Sequence, residues 1–141
     1  MSNTRAVVLD NEPVQAILDT RHRKHRRALA IIEAVAARSQ RRAGPARLLV
    51  PTTVRVEAGW NRRTPAAAVI NRLRAEDIPL DTDLADRAAA LRSTLGLSVA
   101  DAHLGAVLAS TAGPHTIVTS DVADVQRIVD HLATSTALLP F

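Results

Sequence analysis

The chain has 141 residues, of which 47% are hydrophobic, 18 are Lys or Arg, 14 are Asp or Glu and none is Cys. Its length and apolar content predict one domain, residues 1–141, with a hydrophobic core, and they exclude a disordered chain. The absence of cysteine excludes disulfide scaffolds and thiolate metal sites.

Short β-branched runs alternate with longer stretches of helical periodicity along the whole sequence. In chain order, the predicted elements are strand 6–9, a helix from Asn11 and Pro13 to Leu18, helix 22–42, strand 48–50, helix 51–60, helix 64–73, short strand 78–80, helix 83–95, helix 98–112, strand 116–119, helix 122–132 and edge strand 137–139. This alternation predicts βαβ units and a largely parallel sheet, in which ligands bind beyond the carboxyl ends of the strands.

Four carboxylates lie at or near the ends of these strands. Asp10 and Asp121 directly follow two of the three clearest strands, Glu57 lies on the helix after the third, and Asp101 lies near the start of another helix. Carboxylates brought together repel one another, so such a cluster requires protons or a cation. Mg²⁺ and Mn²⁺ prefer oxygen ligands. The pattern therefore favours metal-assisted phosphodiester hydrolysis beside an Arg-rich surface.

Each acid also has a purely structural interpretation. Asp10 and Asp121 suit helix N-caps, and Asp101 completes a capping pattern that begins at Ser98. Glu57 suits an exposed helix position beside a polar neighbour. Taken one at a time these interpretations are favoured, and only the joint placement of the four acids supports a site.

Four sequence segments occur in a characteristic order. They are Val8-Leu9-Asp10, Val50-Pro51-Thr52 through Val56-Glu57, Ala100-Asp101-Ala102 and Thr119-Ser120-Asp121. Together they resemble the four signature segments of PIN-domain ribonucleases, and within that family the VapC toxins of bacterial type II toxin–antitoxin systems.

The resemblance implies a three-layer α/β/α PIN-like domain with a mainly parallel sheet of about five strands. It also implies an Mg²⁺- or Mn²⁺-dependent endoribonuclease that acts on tRNA or other structured RNA, forms a homodimer and is inhibited by a cognate antitoxin.

The resemblance also assigns roles to individual residues. The proposed metal ligands and catalytic acids are Asp10, Glu57, Asp101 and Asp121, and Asp124 is a further candidate ligand. Thr119 and Ser120 are expected to hydrogen-bond the carboxylate of the last Asp, and Asn11 to orient a ligand or to contact a phosphate. The chain departs from the family pattern at Asn11-Glu12-Pro13, where many relatives have a small or hydroxyl residue after the first Asp, and Glu12 adds an acid whose direction the sequence leaves open.

The first half of the chain carries most of the positive charge. Residues 1–75 contain 15 basic and 5 acidic side chains, whereas residues 76–141 contain 3 and 9. Arg supplies 17 of the 18 cations and binds phosphate bidentately. The candidate RNA-binding residues are Arg23, Lys24, Arg26, Arg27, Arg62 and Arg63. The alternative is a solvated surface whose cations are Arg because the genome is GC-rich.

The remaining histidines and aromatic residues have weaker predictions. His22 and His25 have the spacing of a metal pair, but no Cys or third His accompanies them. His103 is two residues from Asp101, which favours a surface or packing role over catalysis. Trp60 is predicted to anchor the core or an interface. Scarce aromatic residues disfavour base stacking as the mode of nucleic-acid binding.

Two other functions remain open at this stage. One is a non-catalytic Arg-rich nucleic-acid-binding protein, and the other is a metal-dependent DNA nuclease of the same fold. No apolar run approaches the roughly 18 residues of a membrane helix, and no signal-peptide pattern is present. We therefore expect a cytoplasmic protein that does not contact a membrane.

Overall fold

The structure is a computed structural model that describes residues 5–41 and 46–141. Its elements, in chain order, are β1 (Arg5–Leu9), α1 (Asn11–Leu18), α2 (His25–Arg41), β2 (Ala46–Pro51), α3 (Thr52–Ala58), a 3₁₀ turn (Pro65–Ala67), α4 (Ala68–Asn71), β3 (Glu76–Ile78), α5 (Thr82–Leu95), α6 (Val99–Ser110), β4 (His115–Thr119), α7 (Val122–Leu132) and β5 (Thr136–Pro140). The predicted alternation of strands and helices is confirmed.

The five strands form one sheet in the order β3-β2-β1-β4-β5, and every pair is parallel. The predicted edge strand is β5, which pairs with β4 alone. Because all five strands run in the same direction, their carboxyl ends meet at one edge. This arrangement positions the residues that follow β1 and β4 side by side.

Helices cover both faces of the sheet. Val7 and Leu9 point into a core shared with α1, α2, α3 and α4. Ala6 and Val8 alternate with them and point into a second core formed with α5, α6 and α7. These three layers are the predicted α/β/α PIN-like architecture.

Helix α6 packs closely against two neighbouring helices. A Cβ atom built on Gly105 would lie 2.8 Å from Cδ1 of Leu91 on α5 and 3.0 Å from Cγ2 of Ile128 on α7. The absence of a side chain at Gly105 therefore allows α6 to fit between α5 and α7.

Several predicted boundaries differ from the structure, and three elements differ most in extent or type. The helix predicted from His22 begins at His25, because the His22 ring accepts the Lys24 backbone N–H at 3.1 Å and holds a turn there. The end predicted at residue 42 lies outside the described residues. The short strand ends at Ile78 and not at residue 80, since Pro79 has no N–H to donate. Helix 64–73 is a 3₁₀ turn followed by one turn of α-helix.

In the described part of the chain, no helix combines the length and the apolar character that crossing a bilayer requires.

Candidate functional site

The first two acids of the site come from neighbouring strands. Asp10 follows the last residue of β1, and its backbone N–H donates to Val118 of β4 at 3.1 Å. Asp121 follows β4 by two residues and occupies the N-cap position of α7. The parallel register of β1 and β4 therefore brings these residues to the same edge of the sheet, as the sequence predicts.

Both oxygens of the Asp10 carboxylate accept hydrogen bonds from the protein. Oδ1 accepts the Asn11 backbone N–H at 2.8 Å, and Oδ2 accepts the Thr119 hydroxyl at 2.7 Å. Asp10 is 8% exposed, so these bonds hold a nearly buried carboxylate in one orientation. Asp10 therefore caps α1 through Oδ1, as the structural interpretation expects. Its second oxygen, Oδ2, faces β4.

The expected partners of Thr119 and Ser120 are wrong. The Thr119 hydroxyl donates to Asp10 and accepts the Asp121 backbone N–H at 2.9 Å, so it does not bond the Asp121 carboxylate. The reason is the register of the two strands. Leu9 pairs with Val118, so the residues that come next, Asp10 and Thr119, lie side by side. The Ser120 side chain instead acts on Glu12, whose pKa it lowers.

The Glu12 carboxylate lies beside basic and hydroxyl groups at the edge of the acid cluster. Its Oε1 lies 3.0 Å from Lys24 Nζ and 3.9 Å from His22 Nε2. The hydrogen bond from Ser120, followed by that from Lys24, lowers the pKa of Glu12 below its ordinary value. Through these contacts Glu12, which departs from the family pattern, links α1 to the α1–α2 connection beside the site.

Three acids approach one another closely enough to share a cation. One carboxylate oxygen from each of Asp101, Asp121 and Asp124 lies within 4.8 Å of the others. The predicted capping pattern is present, since the Asp101 backbone N–H donates to the Ser98 hydroxyl at 3.1 Å and places Asp101 in the first turn of α6. By contrast, no hydrogen bond with capping geometry links the Asp121 side chain to α7. Its carboxylate therefore remains available for a ligand.

Glu57 reaches the site from α3. Its Oε1 accepts the Asn11 side-chain amide at 2.8 Å, which joins α3 to the first residue of α1. The other side-chain atom of Asn11, Oδ1, is buried and has no hydrogen-bond partner among the described residues. An unpartnered buried carbonyl oxygen beside carboxylates is the donor chemistry of a hard cation or of its bound water.

The electrostatics of the cluster also favour a cation. Burial, followed by the charges of Asp10, Asp121, Asp124 and Glu57, raises the pKa of Asp101 to about 6. Burial and then the Asp124 charge raise the pKa of Asp121, and the weak opposing contact with the Asp124 backbone N–H does not offset them. The oxygen-only donor set and its mutual repulsion thus fit Mg²⁺ or Mn²⁺.

A cleft of about 480 Å³ contains most of these groups. It is lined by the four predicted acids Asp10, Glu57, Asp101 and Asp121, whereas Asp124 does not line it. Glu12, Gln15, His22 and Ser98 also line the cleft but are not among the predicted site residues. Gln15 lies one helical turn beyond Asn11, so helical spacing alone was a signal for it. His22 reaches the cleft only through the α1–α2 connection, which no sequence signal indicates.

Three of the six candidate RNA-binding side chains hold the fold together. Lys24 Nζ donates to the backbone oxygen of Phe141 at 2.6 Å, and Arg27 donates to that of Pro140 at 3.0 Å. Arg62 pairs with Asp77 at 2.9 Å and stacks on Trp60, with 4.3 Å between its guanidinium carbon and the ring centroid. The other three candidates, Arg23, Arg26 and Arg63, are exposed.

The predicted packing role of Trp60 is confirmed, because its side chain is buried and its indole N–H donates to Asn71 at 3.1 Å.

His103 is completely buried, so the packing interpretation is correct and the surface interpretation is wrong. His22 and His25 do not converge on one ligand. Their Nδ1 atoms contact the Lys24 N–H and the Ala16 carbonyl, respectively.

The comparison with solved structures gives a likeness over nearly the whole chain. The match is to a chain in the crystal structure of VapBC2 from Rickettsia felis bound to a DNA fragment from their promoter. The TM-score is 0.57, the sequence identity is 13%, and the match covers 96% of this chain and 98% of that chain. This likeness shows that the two chains share a fold. No protein-family model matches the sequence, and no curated protein matches it.

Proposed function

We propose that this protein is an Mg²⁺- or Mn²⁺-dependent endoribonuclease and the toxin component of a type II toxin–antitoxin system. The observation that carries the proposal is that the carboxylates following β1 and β4 and those on α3 and α6 line one cleft, which Asn11 with its unpartnered buried oxygen also lines. The fold shared with a chain of the VapBC2 structure supports the same class. The substrate that fits a toxin of this kind is tRNA or another structured RNA.

In this proposal, Asp10, Glu57, Asp101 and Asp121 hold the cation, directly or through water. A bound divalent ion supplies Lewis-acid stabilisation of the scissile phosphate and a water of lowered pKa. Thr119 fixes the orientation of Asp10, and Asn11 fixes that of Glu57. Asp124, which also lies 3.6 Å from Arg127, is assigned an outer position in the same site.

The proposal includes partners and location. Residues 1–141 form a single PIN-like domain that acts as a homodimer in the cytoplasm and is inhibited by a cognate antitoxin. The VapBC2 structure, which contains a DNA fragment from the promoter, supports an antitoxin as the class of protein partner.

The direct test is cleavage of RNA by the purified chain. Incubation with a tRNA pool and with a structured RNA is expected to give discrete products in Mg²⁺ or Mn²⁺ and none in EDTA, because the carboxylates alone supply no electrophile. Single-stranded and duplex DNA serve as matched substrates. Cleavage that persists in EDTA contradicts the metal mechanism, cleavage of DNA alone supports the DNA nuclease, and binding without cleavage supports the non-catalytic alternative.

The exposed arginines provide a second prediction. Replacing Arg23 and Arg26 together by Ala is expected to weaken RNA binding and to reduce the slope of log K against log salt by about 1.5, since each lost phosphate contact removes about 0.7 to 0.9. Filter binding at several salt concentrations measures this slope. Arg62→Ala is the control, because Arg62 is already engaged by Asp77 and Trp60. An unchanged slope in the double variant rules out these two contacts.

A further inference from the structure

A buried hydrogen bond joins the two helices that contribute acids to the site. Nδ1 of His103 on α6 lies 2.8 Å from the Thr53 hydroxyl on α3. His103 is completely buried, and Thr53 is only partly exposed. No role in holding a metal or in binding RNA is assigned to either residue above. Their contact is therefore an unexplained polar link inside an otherwise apolar packing region.

The tautomer of the His103 ring determines which atom donates. Nε2 has no partner with hydrogen-bond geometry among the described residues, and the backbone of Ile78 and Pro79 lies beside the ring. In the tautomer that carries its proton on Nε2, Nδ1 has the lone pair and accepts the Thr53 hydroxyl proton. Removing this donor leaves a buried acceptor unpaired, which is a costly arrangement.

The two residues occupy defined positions relative to the acids. Thr53 lies four residues before Glu57, one turn away on the same side of α3. His103 lies two residues after Asp101 and points away from the cleft, into the contact with α3. Helix α6 is itself held by its close packing at Gly105. A change at Thr53 is therefore expected to displace α3, whereas α6 stays in place.

The opposite end of α3 has a comparable link. Glu57 is bonded to Asn11 of α1, whereas Thr53 is bonded to His103 of α6. Helix α3 is thus attached near its start to one neighbour and near its end to another. Because it has only seven residues, these two side-chain bonds have a large influence on its position.

We propose that Thr53 and His103 form a positioning pair that sets the separation of Glu57 from Asp101, and thereby the affinity of the acid cluster for a divalent ion. The second part of this inference rests on the proposed function. The first part, the placement of α3, does not depend on any metal.

The test uses Thr53→Val, which removes the hydroxyl but keeps the shape, and Thr53→Ser, which restores it. The control is Thr136→Val, because Thr136 also bonds a buried histidine, His115, but at the amino end of the sheet. Backbone amide NMR spectra of the metal-free proteins report on α3. Calorimetric titration with Mn²⁺ reports on the site.

Thr53→Val is expected to shift the amide signals along α3 as far as Glu57 and to weaken Mn²⁺ binding by about 10- to 100-fold, the usual effect of removing a group that orients ligands. Thr53→Ser and Thr136→Val are expected to keep near-normal Mn²⁺ affinity, although Thr136→Val loses stability. If Thr53→Val does not fold, Thr53→Ala provides the same comparison.

Two results overturn the inference. One is an unchanged Glu57 amide signal in Thr53→Val, and the other is an equal loss of Mn²⁺ affinity in Thr136→Val, which indicates general destabilisation. Failure of the unsubstituted protein to bind Mn²⁺ contradicts the proposed function and the metal part of the inference. The NMR comparison then still decides the placement of α3.

Discussion

Replacing Asp121 by Asn is expected to reduce Mn²⁺-dependent RNA cleavage by about a hundredfold or more while leaving the fold intact. The expected loss is at least as large as that for a group that only orients metal ligands. The fold is expected to persist because the Asp121 side chain is exposed and makes no capping hydrogen bond with α7. Single-turnover cleavage of a structured RNA measures the effect, and circular dichroism checks the fold.

A matched substitution on the same helix separates chemistry from charge. Asp130→Asn makes the same change in net charge on α7, where Asp130 accepts a hydrogen bond from Gln126 at 2.8 Å and lies outside the cleft. This variant is expected to cleave RNA at the normal rate. If both variants cleave RNA at the rate of the unsubstituted protein, Asp121 is not part of the site. If both lose activity to the same extent, the loss comes from nonspecific electrostatics.

Replacing Asp101 by Asn is expected to stabilise the metal-free protein at neutral pH. Burial and the neighbouring acids raise the pKa of Asp101 to about 6 from its ordinary value of 3.8. The folded state therefore takes up a proton more readily than the unfolded state, so this group destabilises the fold progressively as pH rises from about 4 to about 6. After discounting for solvent screening, the expected gain above that range is about 1 to 2 kcal/mol.

Urea unfolding in EDTA across this pH range measures the difference between the two proteins. It is expected to be small below pH 4 and to reach its full value above pH 6. Mn²⁺ is expected to reverse the order, because a ligand at a hundred times its dissociation constant stabilises the folded protein by about 2.7 kcal/mol. We expect Mn²⁺ to stabilise the unsubstituted protein in this way but not Asp101→Asn, which lacks the Asp101 carboxylate.

The control for this stability prediction is Asp83→Asn. Asp83 lies in the first turn of α5, as Asp101 does in α6, but it is exposed and outside the cleft. Its removal is expected to destabilise the protein by about 0.3 to 1 kcal/mol, since a carboxylate favours the start of a helix. A loss of stability in Asp101→Asn of the same size contradicts the mutual repulsion of the acids.

The sequence by itself determined the alternation of strands and helices and the direction of the sheet. Buried parallel strands require continuous apolar runs and long crossover helices, and both features are local patterns. The positions of Asp10 and Asp121 at one edge of the sheet were also predictable, because each follows a strand and the strands are parallel. The Ser98–Asp101 cap was equally readable, because it depends on residues three apart.

Side-chain partners between elements were decided only by the tertiary structure. The register of β4 against β1 directs Thr119 to Asp10, and the α1–α2 connection brings Lys24 to Glu12 and to Phe141. Lys24, Arg27 and Arg62 illustrate the limit for charged groups, because a cation that binds a carbonyl and one that faces solvent look the same in a sequence.

The physical reason for this division is range. Periodicity, capping and strand direction arise from interactions within a few residues, so they are written into short stretches of sequence. The pairing of Thr53 with His103 and of Asn11 with Glu57 spans 50 and 46 residues. Such contacts exist only after the helices have packed on the sheet. The sequence thus determined which acids meet, and the fold decided which groups hold them in place.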